Sequence, residues 1–286
     1  MNVALIGALA LRDPVTAVPA VPVPTSPTTP TPTSPAGPVP SSVSPSPASP
    51  RPGPAERPVA GSRLLANNSD RVAWRAETTG CGGAAVVEVS TDGGRSWSRT
   101  RPGLSAIVRL KAYGENAVFA VGADARCRPT YAWISGPGEQ WRSERARVSD
   151  VWFRTPGDLD LVHAPGGQTS RPCGSALVDL AGLGTYQAAA LCADGRIRTE
   201  AEGRSWRTVR SRSGAVSLNA DDSRFVAGVV SPGCPGLAVQ RFDSSGEGLD
   251  RPGRCRPSAG GADQPTAVTH RADLTWVWSG ERVSVF

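Results

Sequence analysis

The segment Ser90-Thr91-Asp92-Gly93-Gly94-Arg95-Ser96-Trp97 follows a β-favouring run, AAVVEVS at 84–90, and places an acid, two glycines and a tryptophan in one turn. An aspartate carboxylate there can accept backbone N–H groups, glycine admits positive φ, and a closing tryptophan offers a large apolar face. The pattern recurs. Trp141 ends a shortened copy, SGPGEQW (135–141), and Trp206 ends another, TEAEGRSW (199–206), with Ala201 in place of the aspartate. Trp97 and Trp141 are 44 residues apart. Cys81, Cys127 and Cys173 each precede an apolar strand and are 46 residues apart both times. A fixed period of roughly 40–50 residues in an all-β chain is the mark of a β-propeller.

The surrounding segments agree with an all-β reading. NAVFAVG at 116–122, TYAWIS at 130–135, DLDLVHA at 158–164, RFVAGVV at 224–230 and LTWVWS at 274–279 are short, β-favouring and bounded by Gly, Asp, Asn or Pro. No run has a persuasive helical period. The register places blades near 61–101, 104–147, 149–212, 214–257 and 264–286. Trp141 and Trp206 are 65 residues apart, so the third interval holds either an insertion or a further, degenerate blade. Five to seven blades satisfy the spacing, and six four-stranded blades is the reading adopted. The last interval is one strand short, and a strand near Arg57 to Leu65 would close the ring and remove a sheet edge.

Ser90 to Trp97 matches the S-x-D-x-G-x-[ST]-W pattern of the bacterial neuraminidase repeat, so residues 61–286 resemble the Asp-box propellers. That broad family includes sialidases, plant-type photosystem assembly factors and many actinobacterial surface proteins. The resemblance implies fold-making roles for Ser90, Asp92, Gly94 and Trp97, and for Ser135, Trp141, Gly203 and Trp206 in the weaker copies. Such turns lie on the outer rim, away from a channel active site. The F-R-[IL]-P sequence that gives sialidases their first substrate arginine is absent. None of Tyr113, Tyr131 and Tyr186 can be matched to a sialidase nucleophile. The fold therefore transfers and the catalysis does not.

The rest of the chain frames this body. Val3 to Leu11 is an apolar run of nine residues, too short to cross a bilayer that needs about 20. Residues 1–13 are expected to be the remnant of a signal-anchor helix, or else an apolar tail. Sixteen of the 27 prolines fall between Pro14 and Pro58, among Ser, Thr, Ala and Val with no aromatic residue. Residues 14–60 are accordingly expected to stay unfolded, with polyproline II bias, as a semi-rigid stalk that O-glycosylation could decorate between Thr25 and Ser49. A ligand for a proline-binding groove is the lesser alternative there, since flanking arginine appears only at Arg51 and Arg57.

Composition excludes several classes. Hydrophobic content of 39% and mean hydropathy of −0.24 describe a globular body rather than a multi-span membrane protein. The net charge is +6, but the 31 basic residues include one lysine, Lys111, and the arginines are dispersed among 25 acids with no basic block. That pattern reflects a GC-rich genome and does not indicate a nucleic-acid partner.

Six cysteines, all beyond the stalk and none in a CxxC pair, suit an oxidising compartment. Of the fifteen connectivities six cysteines permit, the tightest local pairings are Cys173–Cys192 and Cys234–Cys255, which leave Cys81–Cys127 across neighbouring blades. His163 and His270 stand on separate segments without metal-ligand spacing. No P-loop, nucleophile elbow, dinucleotide fingerprint or EF-type loop is present. Asn67-Asn68-Ser69 is formally a glycosylation sequon.

The expectation is an extracytoplasmic, monomeric binding or scaffold propeller for a glycan or an envelope protein. It has no cofactor, metal or catalytic residue and touches a membrane only through its N-terminus. A diverged sialidase-like hydrolase is the alternative, with Arg75, Arg109 and Arg154 converging on the channel.

Overall fold

The computed structural model describes residues 63–286 apart from 79, 204, 212–213, 250–252 and 257–263. The expectations for residues 1–13 and 14–60 lie outside the described residues. The body is a propeller of six antiparallel sheets.

The first blade comprises β1 (Arg63–Asn67), β2 (Ala73–Glu77), β3 (Val87–Ser90) and β4 (Ser98–Thr100), and the second β5 (Ala106–Tyr113), β6 (Ala117–Ala123), β7 (Pro129–Ile134) and β8 (Arg142–Ser143). The third contains β9 (Phe153–Thr155), β10 (Asp158–His163) and β11 (Thr169–Ser170). The fourth has β12 (Leu177–Leu183), β13 (Gln187–Cys192), β14 (Ile197–Ala201) and β15 (Arg207–Arg210), and the fifth β16 (Ala215–Ala220), β17 (Phe225–Val229), β18 (Leu237–Phe242) and β19 (Arg254–Arg256). The sixth contains β20 (Thr266–Arg271), β21 (Leu274–Ser279) and β22 (Arg282–Val285). A single 3-10 turn, Arg145–Asp150, is the only helical element among the described residues.

The long interval from 149 to 212 therefore holds two blades, the third and the fourth. The third lacks a tryptophan-ended turn, and its last strand has two residues. Four-stranded blades were expected throughout, yet the third and sixth sheets show three strands each among the described residues. The strand expected near Arg57 to Leu65 to close the ring falls only in part on described residues. Residues 57–62 lie outside the described residues, while Arg63–Leu65 begin β1, which pairs with β2 in register Arg63↔Glu77 to Asn67↔Ala73. A short hairpin connection costs far less chain entropy than pairing across the ring, so β1 is the inner strand of its own blade.

Position in the blade dictates composition. Four of the six second strands are sandwiched between neighbouring blades: β6, β13, β17 and β21 are buried at almost every residue, whereas β10 of the third blade is mostly half-buried. Both faces must then be apolar, which produces continuous runs such as AVFAVGA and FVAGV. Outer strands β4, β8, β15 and β19 are exposed or half-buried, and they read SRT, RS, RTVR and RCR.

Inner strands share a feature that the tryptophan turns do not reveal. In β5, β12 and β16 the register slips by one residue, between Ile107 and Arg109, Leu177 and Asp179, and Ala215 and Ser217. Val108, Val178 and Val216 are the extra residues. Each opens the same pattern, Val-x-Leu-x-Ala/Gly, and each bulge turns the following residue toward the axis. Close approach accompanies the bulge: a Cβ on Gly122, opposite it, would stand 1.8 Å from the Ala106 carbonyl oxygen.

The three tryptophan-ended turns all join third to fourth strands. In the first, Ser90 Oγ donates to Asp92 Oδ1 at 2.8 Å, and the N–H groups of Arg95 and Ser96 donate to the same oxygen at 3.0 Å each. The Ser96 hydroxyl donates to Oδ2 at 2.6 Å. Hydrogen bonds from the Ser96 side chain and backbone, then from Ser90, hold the Asp92 carboxyl far below its ordinary range. Gly93 and Gly94 take the positive φ of 78° and 84°. Trp97 then packs with Leu65, Ala73, Trp276 and Trp278, joining the first blade to the sixth.

The other two turns have no aspartate at the matching position and keep the joint. Trp141 stands edge-on to Trp74 at 6.3 Å, and Trp206 edge-on to Trp152 at 6.1 Å, both at 78°. Each indole N–H donates at 2.9 Å to a hydroxyl on the last strand of the preceding blade, Thr100 or Ser170. Ser135 is exposed at the start of the second turn, and Gly203 takes φ of 70° in the third.

Disulfides join Cys81 to Cys127, Cys173 to Cys192 and Cys234 to Cys255, and no cysteine is free. Three bridges suit an oxidising environment. Among the described residues no helix is long and apolar enough to cross a membrane.

Candidate functional site: a plugged channel and two clefts between blades

The channel runs along the axis, lined by the inner strands of the blades. Each inner strand turns one unpaired backbone edge toward it, and those groups must find partners. Side chains from neighbouring blades supply them. Lys111 Nζ donates to the carbonyls of Ala220 and Asp221 at 2.6 and 3.0 Å, and Asn219 Nδ2 to those of Leu65 and Val268 at 2.8 and 2.9 Å. The Arg109 guanidinium donates to the Trp152 carbonyl and, at 3.1 Å, to that of Gly182. The free volume left along the axis is about 30 Å³ on one side and about 10 Å³ on the other, space for about one water molecule.

Burial marks the same plug electrostatically. Desolvation lowers Arg109 to about 10, and it lowers Lys111 to about 8 with help from the Arg109 charge. Desolvation also raises Asp179 to about 6, against the hydrogen bonds it accepts from the N–H groups of Leu218 at 2.7 Å and Leu180 at 2.8 Å. A buried carboxyl of raised pKa can mark a catalytic acid, but both Asp179 oxygens are committed to backbone. Because its folded pKa is raised, Asp179 contributes stability fully below the ordinary carboxylate pKa of 3.8, and that contribution is lost as pH climbs through about 6. Asp179→Ala leaves the buried Leu218 N–H unpaired and should cost about 1–3 kcal/mol. In urea unfolding the gap between wild type and variant should be widest near pH 4 and narrower at pH 7. A gap that does not change with pH would contradict this assignment.

The arginines expected to converge do not. Arg154 is buried and donates to the carbonyls of Leu159, Val178 and Leu177 at 2.8, 3.0 and 2.7 Å. It lies in Phe153-Arg154-Thr155-Pro156, one residue from the sialidase sequence, yet its donors are consumed by strand edges. Arg109 belongs to the plug, and Arg75 faces outward between blades. Tyr131 is stacked on Phe119 at 5.0 Å and pushed by burial to about 12, while Tyr186 is exposed on the surface. His163 stacks on Phe153 at 4.4 Å, and His270 Nδ1 shares a hydrogen bond with Thr275 at 2.9 Å. Burial lowers the pKa of both. No group of three or more His, Cys, Asp or Glu among the described residues is arranged to hold a metal. Asn67 of the sequon is buried and accepts a hydrogen bond from Thr269.

Accessible volume lies between blades instead. A cleft of about 620 Å³ separates the first blade from the sixth. Its floor is a cross-strand ladder, with Arg75 on β2 opposite Glu88 on β3, itself opposite Arg99 on β4. Arg75 Nη2 is 2.7 Å from Glu88 Oε2, and Arg99 Nε is 3.2 Å from Oε1. Burial would raise Glu88, but the hydrogen bonds from Arg75 and Arg99 outweigh it and hold the carboxyl below its ordinary value. Across the cleft, the Trp278 ring of β21 meets the Arg63 and Arg75 guanidinium groups, 4.4 and 4.9 Å from its centroid. Arg99 and Glu77 extend from the rim with side chains 80% and 63% exposed, each with one ionic partner, Glu88 and Arg63, and the rest of its polar surface open to solvent.

No protein-family model matches the chain, and no curated protein matches it. Solved propellers are similar in structure. YCF48 bound to D1 peptide is 13% identical over 79% of this chain and 77% of its own, with a TM-score of 0.40. SapL1 lectin in complex with alpha methyl fucoside is 10% identical over 80% of this chain and 96% of its own, at 0.43. The fucose-specific lectin from Aleuria aurantia is 11% identical over 79% and 95%, also at 0.43.

Sequence reading named Arg75 but put it at the channel, and it did not single out Glu88, Arg99, Arg63 or Trp278. Arg75, Glu88 and Arg99 are 13 and 11 residues apart, spacings that acquire meaning only once the strand register is known. The channel plug had a legible signal: the x positions of Val-x-Leu-x-Ala/Gly are Arg109 and Lys111, Asp179 and Ala181, Ser217 and Asn219.

Proposed function

We propose that this protein is an extracytoplasmic binding module whose propeller holds a glycan in the cleft between its first and sixth blades. The observation that carries the reading is the Arg75–Glu88–Arg99 ladder facing Trp278 around about 620 Å³ of open volume. A sugar's vicinal hydroxyls both donate and accept hydrogen bonds. A row that alternates guanidinium donors with a carboxylate acceptor complements them, and charge-assisted bonds of this kind are the stronger ones. The ionic groups are already oriented by one another, so little side-chain entropy is lost when a ligand arrives. Three disulfides support an oxidising location. In this reading, residues 14–60 are the stalk that carries the propeller away from the cell surface, and residues 1–13 belong to its anchor.

Binding is favoured over catalysis because the charged groups displaced by burial along the axis are engaged in structure. Asp179, Lys111, Arg109 and Arg154 all hold strand edges. The full chain, screened on a glycan array beside a panel of envelope proteins, should retain a glycan. Arg99→Ala combined with Glu77→Ala should weaken that binding at least about tenfold with an unchanged unfolding midpoint, as removal of a charge-assisted hydrogen bond implies. Retention of envelope proteins alone, binding indifferent to the two substitutions, or turnover of a fluorogenic sialoside would each overturn the reading.

A further inference from the structure

A second cleft, of about 260 Å³, lies between the fifth and sixth blades, and its charge is of another kind. Arg224, Arg241, Arg254 and Arg256 line it from the fifth blade. Strand alternation explains why they meet. Arg254 and Arg256 are two residues apart on β19 and pair with Val239 and Leu237, so they share the face of β18 that also carries Arg241. Arg224 lies two residues before Val226, which packs with Leu237 and Val239 against Val268 and Val277 of the sixth blade. All four arginines thus occupy the side of the fifth blade turned toward the sixth.

Their partners are too few. Arg241 is neutralised by Asp221, with Nη2 2.6 Å from Oδ2. Arg256 lies over the Phe286 ring at 4.9 Å, and its Nε is buried without a hydrogen-bond partner. The Arg224 and Arg254 side chains make no hydrogen bond or ion pair with any other described residue, and Asp273 is the one acid lining the cleft. Among the described residues the acids beside these four guanidinium groups are Asp221 and Asp273, so positive charge is in excess there, an arrangement that an anion would relieve. The first cleft is balanced by contrast, with Glu88 between two arginines.

The arrangement is also held in place. Cys255 sits between Arg254 and Arg256 with its side chain on the opposite face, and its disulfide to Cys234 ties the short β19 to the loop between β17 and β18. Planar forks on a fixed strand suit bidentate contact with oxyanions.

The geometry points to a binding site for a tetrahedral oxyanion, a phosphate or sulfate group, between the fifth and sixth blades. This site is independent of the glycan cleft. The full chain should be titrated at about 0.15 M salt with sulfated dextran, linear polyphosphate and unsulfated dextran of matched length. Binding to at least one polyanion is expected, and which one binds identifies the oxyanion as phosphate or sulfate; unsulfated dextran should not bind here. Arg224→Gln with Arg254→Gln should weaken polyanion binding at least about tenfold. Arg101→Gln with Arg126→Gln removes the same charge from exposed positions elsewhere and should change it less than about twofold. Arg99→Ala, in the other cleft, should also leave it unchanged, which separates a failure here from a failure of the glycan reading. Equal losses in the two arginine pairs, or no binding to either polyanion, would overturn the site.

Discussion

Replacing Cys81 and Cys127 together by alanine is expected to lower the unfolding free energy by about 4 kcal/mol, the chain-entropy value for a loop of this length. The bridge spans 46 residues and links the loop after β2 in the first blade to the loop after β6 in the second. It therefore fastens two blades at equivalent places. Cys173–Cys192 and Cys234–Cys255 span 19 and 21 residues, and removing either should cost about 3 kcal/mol on the same basis. Urea unfolding without reductant measures each loss, with an unchanged denaturant slope verifying that the same transition is followed. If removing the long bridge proved cheaper than removing either short one, its role as an inter-blade fastener would be wrong.

Trp74→Ala is the second large effect, about 3–5 kcal/mol for truncating a fully buried tryptophan. Trp74 is 0% exposed, packs edge-on against Trp141, and donates from Nε1 to Asn68 Oδ1 at 2.9 Å. Asn68 in turn donates to the Ala117 carbonyl of the second blade at 2.9 Å. The substitution therefore opens a cavity and also frees the amide that latches two blades together. Trp141→Ala should cost less, because Trp141 is only partly buried. A Trp74→Ala loss below about 2 kcal/mol, or one no larger than that of Trp141→Ala, would remove the tryptophan pair from the joint.

Much of the architecture was legible because its signals are local. The Ser90–Trp97 turn carries its own hydrogen-bond network within eight residues, and second strands such as β6 and β17 announce themselves as continuous apolar runs. What was harder to see follows the same physics. The outer strands β4, β8, β15 and β19 face water and carry arginine, so no apolar pattern marks them. The third blade hides because it has no tryptophan turn and its last strand is Thr169–Ser170 alone. The inner-strand repeat was present in plain letters but interleaves apolar residues with Arg, Lys, Asp and Asn, which look like surface until an axis is known.

By itself, the sequence determined the all-β class, the blade period, the six-blade reading and the turns, since these depend on hydrogen bonds and packing among residues close along the chain. Tertiary structure decided which charges became plug and which became cleft. Arg109 is spent on strand edges at the axis, whereas Arg75 meets Trp278, more than two hundred residues later, only because the sixth blade returns to the first. The fate of a side chain in a ring is set by the face its neighbour presents across the closure, and no local pattern encodes that distance.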